Sequence, residues 1–314
     1  MLDIALAGVG GFMPMHNRFL TAMLARLNGR MLLVDCGEGA QITLRRIGWG
    51  FKDIDVICIT HFHADHIAGL PGLLLTIGNS GRTEPITIVG PKGIREIASH
   101  LCVIAPIPYE PHFIELSPKG SRPVDFHAGG FMLSALALDH HIPCLGYRIT
   151  VPRAGRFDAE KAKRLGLPLM SWSKLQKGET IEHGGKDYTP DMVMGPERKG
   201  LKVSYITDTR PVAGIPDFIR GSDLFIAEGL YGDDAMLAQA AEKRHMVFSE
   251  AAALAKAGEA GEMWLTHFSP AMQAPRDYLD VARRIFPNTK TGADRMTKTF
   301  RFQDEEPQEG EQDG

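Results

Sequence analysis

Between Thr60 and Ile67 the chain reads His61-Phe62-His63-Ala64-Asp65-His66, three imidazoles and a carboxylate within six residues. Core packing does not account for such density, because a buried imidazole or carboxylate needs a hydrogen-bonded partner or a metal. Along an extended loop His61 and His63 point the same way, while a helix starting just after them turns Asp65 and His66 toward a second position. Two adjacent metal positions follow. Imidazole nitrogens and carboxylate oxygens with open coordination positions suit zinc, and manganese or iron fits the same ligand types. A pair of such ions acidifies water and neutralises charge on ester or phosphodiester oxygens, which is the chemistry of a metal-dependent hydrolase.

Elements must carry this cluster. Apolar runs at 4–9, 30–35 and 56–60, closed by Gly, Asp or the cluster itself, predict buried strands. The third run stops at His61, so the cluster begins on a loop at a strand end, a common place for chemistry. Helices are expected over 40–47, 67–77, 93–101 and 249–257, and further strands over 86–89, 131–138, 203–207, 224–228 and 263–266. The alternation lacks the even period of a doubly wound sheet or an eightfold barrel, and there is no internal repeat. Gly8-Val9-Gly10-Gly11 lacks the third glycine of a dinucleotide loop, since Met13 stands there, and is read as a tight turn. Residues 148–202 hold 12 basic and 7 acidic residues with few apolar runs, and are read as a loop-rich surface arm able to meet phosphate. Trp172 within it either stacks on a base or anchors packing.

With 314 residues, 44% hydrophobic and 23% charged, the chain is long enough for one large α/β domain. No stretch reaches the roughly 18 apolar residues of a membrane span, and no basic start precedes an apolar run. Cys36, Cys58, Cys102 and Cys144 are scattered without CxxC spacing, as reduced thiols of a cytoplasmic protein would be. The net charge of −3 is concentrated at the end, where 301–314 holds one basic and six acidic residues and reads as a disordered tail.

After the His61–His66 cluster come Pro71-Gly72-Leu73, Asp139-His140, Gly146-Tyr147-Arg148, Thr207-Asp208-Thr209-Arg210 and Leu265-Thr266-His267-Phe268-Ser269; Asp35-Cys36-Gly37-Glu38-Gly39 precedes it. In that order the chain resembles the ribonuclease Z branch of the metallo-β-lactamase superfamily. The resemblance implies an α/β fold of the α+β kind, a four-layer αβ/βα sandwich with two facing mixed β-sheets. It places a hydrolase domain over 1–300 with the arm at about 150–200 and the tail at 301–314. It implies two zinc ions, one held by His61, His63 and His140, the other by Asp65, His66 and His267, with Asp208 bridging. His140 is preferred to His141 because it follows the acidic Asp139. Asp65 would orient and deprotonate water, and Glu228 with His245 falls where relatives keep a pair that serves the leaving group. The partners implied are an RNA or small phosphodiester substrate, with no membrane, and a second copy of the chain in a homodimer. Two departures stand out: the arm reads Gly166-Leu167-Pro168-Leu169 where relatives carry a Gly-Pro motif, and Met246-Val247 replace a small hydroxylated pair. Two other readings stay open at this stage: a hydrolase of an ester, thioester or lactam on the same metals, and a metal-containing module that binds RNA or protein without turnover.

Overall fold

Strands β1 (Leu2–Gly8), β2 (Ala22–Leu27) and β3 (Arg30–Val34) form an antiparallel meander, which β4 (Ile54–Cys58), β5 (Thr87–Pro91) and β6 (His112–Leu116) extend in parallel. The strand Thr297–Phe300 closes the outer edge antiparallel to β1, giving a mixed sheet of seven strands. This is a computed structural model, and it describes residues 1–303. Parallel neighbours need crossovers, and these are helical: α1 (Ala40–Ile47) after β3, α2 (Ala64–Ile67) and α3 (Leu70–Asn79) after β4, and α4 (Ile94–Leu101) after β5. Leu33, Ile57 and Ile88 of the sheet bury against Leu44, Leu73 and Ile94 of these helices. The helix expected over 67–77 is α3, which starts at Leu70 after the separate short α2 and has Pro71 in its first turn, where its missing N–H costs nothing.

The second sheet starts with the antiparallel β7 (Val124–Ala128), β8 (Phe131–Leu138) and β9 (Cys144–Arg153). The chain then builds the arm: α5 (Ala159–Arg164), α6 (Leu169–Gln176) and the hairpin of β10 (Ile181–His183) with β11 (Lys186–Tyr188). It returns as β12 (Arg198–Ile206), β13 (Leu224–Glu228), β14 (Met263–Thr266) and β15 (Thr289–Thr291), which run parallel to one another. The order across this sheet is β15-β14-β13-β12-β9-β8-β7. The helices Phe248–Ala257 and Leu279–Arg283 pack on β13, β14 and β15. The inner faces of the two sheets meet where Tyr147 Oη donates to the carbonyl of Ile59 at 2.8 Å and Thr21 Oγ1 lies 2.8 Å from Thr266 Oγ1. The result is the four-layer αβ/βα sandwich. No helix among the described residues is long and apolar enough to cross a membrane.

Residues Val151–Leu201 form a separate compact unit. They are less loop-like than the sequence suggests. Ala162, Leu167, Leu175, Ile181 and Val193 make a small core, onto which Trp172 packs 5.2 Å from the Phe157 ring while its Nε1 donates to the carbonyl of Leu167. Trp172 is thus a packing anchor. Asp158 caps α5 by accepting from the amide of Lys161. Of the acidic stretch 301–314, residues 304–314 lie outside the described ones.

Arg82 is a buried staple of the first sheet. Its guanidinium donates to the carbonyls of Lys52, Ile54, Glu84 and Pro85 and to Asp55 Oδ1, all between 2.7 and 3.1 Å. A lysine has three donors on a single nitrogen and cannot serve this fork. Arg82→Lys is expected to lower stability by about 3 kcal/mol while leaving the folded protein's metal content unchanged. Urea unfolding with metal analysis checks this, and a loss below about 1 kcal/mol would show that the fork is not needed.

Candidate metal centre

Strand ends and the turns that follow them deliver the donor residues of the site. β4 ends at Cys58, the chain continues extended through His61 to His63, and α2 then turns Asp65 and His66 inward; both of these are buried. His140 lies two residues beyond β8, Asp208 two beyond β12, Glu228 is the last residue of β13, and His267 follows β14 directly. Five adjacent or facing strands thus stop at one place, as sheets do where chemistry is carried on the loops beyond them.

Two groups of donor atoms converge there. In one, His61 Nε2 and His140 Nε2 lie 3.0 and 3.2 Å from His63 Nδ1, and Asp208 Oδ2 is 3.6 Å from His61 Nε2 and 4.0 Å from His140 Nε2. In the other, His66 Nε2 and His267 Nε2 are 3.2 Å apart, and Asp65 Oδ2 is 3.5 and 3.4 Å from them. Asp208 joins the groups, because its Oδ1 is 3.2 Å from His267 Nε2 and 3.5 Å from His66 Nε2. In each group the donor atoms lie within 4.8 Å of one another. His141, beside His140, is exposed.

The electrostatics fit a cation at both positions. Burial pushes the pKa values of His61, His63 and His140 down, which leaves them neutral with lone pairs facing one another, the form that binds a metal. Burial also opposes charge on His66, but Asp208 and Asp35 outweigh it and push that pKa well up, so two carboxylates here demand a positive partner. Asp208 itself is held well below the usual carboxylate range, because His267, His66 and His61 outweigh its burial. Nitrogen and carboxylate donors in this number suit a pair of divalent ions.

A second ring of residues fixes the donors. Asp35 Oδ2 lies 2.8 Å from His66 Nδ1, and Asp35 also accepts from the amide and hydroxyl of Thr60, whose Oγ1 is 3.0 Å from His61 Nδ1. His140 Nδ1 lies 3.2 Å from the carbonyl of Arg244, and Thr207 Oγ1 donates to Asp208 Oδ1. Such contacts select the tautomer and aim the ring. The backbone is strained at the same places: among the described residues eight non-glycine positions have positive φ, and five of them are Phe12, Asp35, Asp208, Arg244 and His267. Sparse conformations that cluster in this way mark a site whose geometry is imposed by its surroundings. Asp35 and Phe12 carried no assigned role in the sequence. For Asp35 the available signal was an acid directly after a buried strand.

Gly8-Val9-Gly10-Gly11 is not the tight turn expected. Gly8 pairs with Ala22, Gly10 bridges both Leu20 and Phe268, and the amide of Gly11 donates to the carbonyl of Phe268. Glycine is required for close approach, because a Cβ on Gly11 would stand 2.6 Å from His267 Cε1. Gly11→Ala is expected to displace the His267 ring and halve the bound metal, with at least a roughly 10²-fold loss of activity from misplacement alone. Metal analysis beside kinetics checks it, and full metal content at normal activity would contradict the assigned contact.

Glu228 and His245 are both buried and form a pair, with His245 Nδ1 3.2 and 3.3 Å from the two carboxylate oxygens. Glu228 Oε1 also accepts from the amide of Thr209, one residue beyond Asp208, at 2.6 Å. Burial opposes charge on His245, yet Glu228 outweighs it and pushes the imidazole up to about 9. Arg210 secures the segment from the other side by donating to the carbonyl of His245 and to Glu250, which in turn accepts from the amide of Val247 at 3.1 Å. Val247 has no hydroxyl, so only the glutamate half of a helix-capping pair is present. Asp139 pairs with Arg244.

Known proteins can now be set beside this geometry. The profile of a family described as "Anti-Pycsar protein Apyc1" matches residues 2–97. Ribonuclease Z of Lachnospira eligens is 52% identical over 97% of this chain and 100% of its own length, and ribonuclease Z of Clostridium acetobutylicum is 52% identical over 96% and 99%. The crystal structure of the short form of human tRNase Z superposes with a TM-score of 0.69 at 24% identity, covering 96% of this chain and all of that one, which is a likeness of fold. The metallo-β-lactamase-fold protein YhfI of Bacillus subtilis superposes with a TM-score of 0.68 at 20% identity over 95% of this chain and 100% of that one. Near-complete coverage at about half identity goes with the sandwich and the paired His/Asp donor groups: the chain belongs to the ribonuclease Z family, metal-dependent hydrolases of the metallo-β-lactamase fold.

Proposed function

We propose that this protein is an endoribonuclease that hydrolyses a phosphodiester near the 3′ end of precursor transfer RNA with two zinc ions. In this reading His61, His63 and His140 would hold one ion and Asp65, His66 and His267 the other, with Asp208 between the two donor groups. Bound there, the ions would acidify water and neutralise charge on the phosphodiester oxygens. Asp65 Oδ2 is occupied by the amide of Phe12 at 2.8 Å and by the second donor group, which leaves Oδ1 to orient the attacking water and take its proton.

The observation that carries the phosphodiesterase reading is the Glu228–His245 pair beside the donor groups. An alkoxide leaving group is a strong base and needs a proton. His245, with Nδ1 committed to Glu228 and its pKa raised, holds one at neutral pH on Nε2. A thioester hydrolase has less need of this device, because a thiolate departs without a proton. The arm supports a nucleic-acid substrate through its excess of basic over acidic residues. A small phosphodiester is the second reading, favoured by the arm sequence: in place of a Gly-Pro motif the arm exposes Leu169 and Met170, at 74% and 85%.

The free, buried Cys36, Cys58 and Cys144 support a reducing, cytoplasmic setting, and the family resemblance supports a homodimer. Metal analysis combined with turnover of bis-para-nitrophenyl phosphate, nitrocefin and a thioester tests the site chemistry. The expected result is two zinc ions per chain and hydrolysis of the diester alone. Preference for nitrocefin or the thioester would replace the phosphodiesterase reading, and a metal-loaded protein inert toward all three and toward RNA would make it a binding module.

A further inference from the structure

Phe12 is out of place for an apolar residue. It is 47% exposed, its φ is 65°, and it sits at the lip of the metal centre. A bulky L-residue avoids this left-handed backbone unless its surroundings impose it. Here they do, since the Phe12 amide donates to Asp65 Oδ2 at 2.8 Å and the Met13 amide donates back to the carbonyl of Gly11. The strained backbone fixes the ring edge-on to His245, with centroids 5.8 Å apart, and 6.2 Å from the His267 ring.

Phe12 also lines a hollow of about 330 Å³ that the reaction as described does not use. Its walls include Phe12, Tyr231, Met272 and Tyr278, with Gln239 and Lys243 supplying hydrogen-bond donors. The Tyr278 ring lies directly on the backbone of Gly232, where a Cβ would come within 2.3 Å of its Cγ, so the wall is built by close packing. Three aromatic rings and a thioether beside amide and ammonium donors suit a flat heterocycle, apolar on its faces and polar at its edge. Its position matters as much: a single ring, Phe12, borders both the hollow and the two imidazoles of the reacting centre.

We infer that this hollow is a subsite for an unpaired nucleobase, that of a nucleotide flanking the scissile phosphodiester, and that Phe12 is its stacking platform. The inference rests on the ribonuclease reading above and names a part of the substrate that the reading leaves open. Stacking on an aromatic side chain is tolerant of base identity and independent of the phosphate, so it sets which strand geometry is held at the centre without adding to the chemistry itself.

The test is a cycle between protein and substrate. A short 3′-extended RNA is prepared intact and with an abasic nucleotide on either side of the cleavage site, and kcat/KM is measured with wild-type protein and with Phe12→Gly, Phe12→Tyr and Tyr278→Ala, each checked for metal content. Glycine accepts the backbone at position 12, so the amide to Asp65 is kept. The wild type is expected to cleave the intact RNA about 10-fold better than one of the abasic forms. Phe12→Gly should discriminate by less than about twofold, Phe12→Tyr should restore the preference and Tyr278→Ala should weaken it. Discrimination by Phe12→Gly equal to that of the wild type, or none by the wild type, would overturn the subsite while leaving the ribonuclease reading intact. Absence of any RNA cleavage by the wild type would remove that reading and the subsite with it.

Discussion

Asp208→Ala is expected to strip metal from both positions and to reduce hydrolysis by more than roughly 10⁴-fold. Among the described residues no other carboxylate faces both donor groups. Oδ2 addresses His61 and His140 at 3.6 and 4.0 Å, while Oδ1 addresses His267 and His66 at 3.2 and 3.5 Å. Without it, buried imidazoles crowd one another with no negative charge between them, and a cation loses the anion nearest to both positions. Asp208→Asn keeps the volume and removes the charge, so it should fold like the wild type and still lose metal. Elemental analysis of purified, refoldable protein decides the matter. Retention of two ions per chain with activity within tenfold of the wild type would show that Asp208 is not shared.

His245→Ala is expected to act on a different step. Its Nδ1 is committed to Glu228, so both ions should remain, while cleavage of RNA falls roughly 10²- to 10⁴-fold. Bis-para-nitrophenyl phosphate should suffer much less, because nitrophenolate departs without a proton. Glu228→Gln should behave in the same direction and less severely, because it weakens the charge that keeps His245 protonated against its burial. Equal losses on both substrates, or loss of metal, would place His245 elsewhere in the mechanism.

Parts of this architecture are legible from the chain alone, and the reasons are physical. Strands such as β4, β13 and β14 are buried along nearly their whole length, so they appear as continuous apolar runs that end at the site. β7 and β6 lie at sheet edges with mostly exposed or half-buried residues, and they carry no such run. β2, Ala-Met-Leu-Ala-Arg-Leu, is made of good helix formers that pairing with β1 and β3 holds extended. The arm core is scattered from Ala162 to Val193 with no single period.

The site divides in the same way. His61, His63, Asp65 and His66 announce themselves by density. His140, Asp208 and His267 are single residues on separate strand ends, and only the order of the family's motifs singles them out before the fold brings them together. The roles of Asp35, Arg210 and Phe12 arise from contacts with residues distant in sequence, to His66, Glu250 and Asp65 respectively, and no local pattern encodes those.

The most direct test of the central claim is cleavage of a 3′-extended precursor transfer RNA by purified protein of known metal content, with the cut mapped to the nucleotide and Asp65→Ala as control. A single cut directly after the discriminator nucleotide, lost in Asp65→Ala, is expected. Turnover of bis-para-nitrophenyl phosphate with the precursor left uncut would contradict it, and would assign the same centre to a smaller phosphodiester.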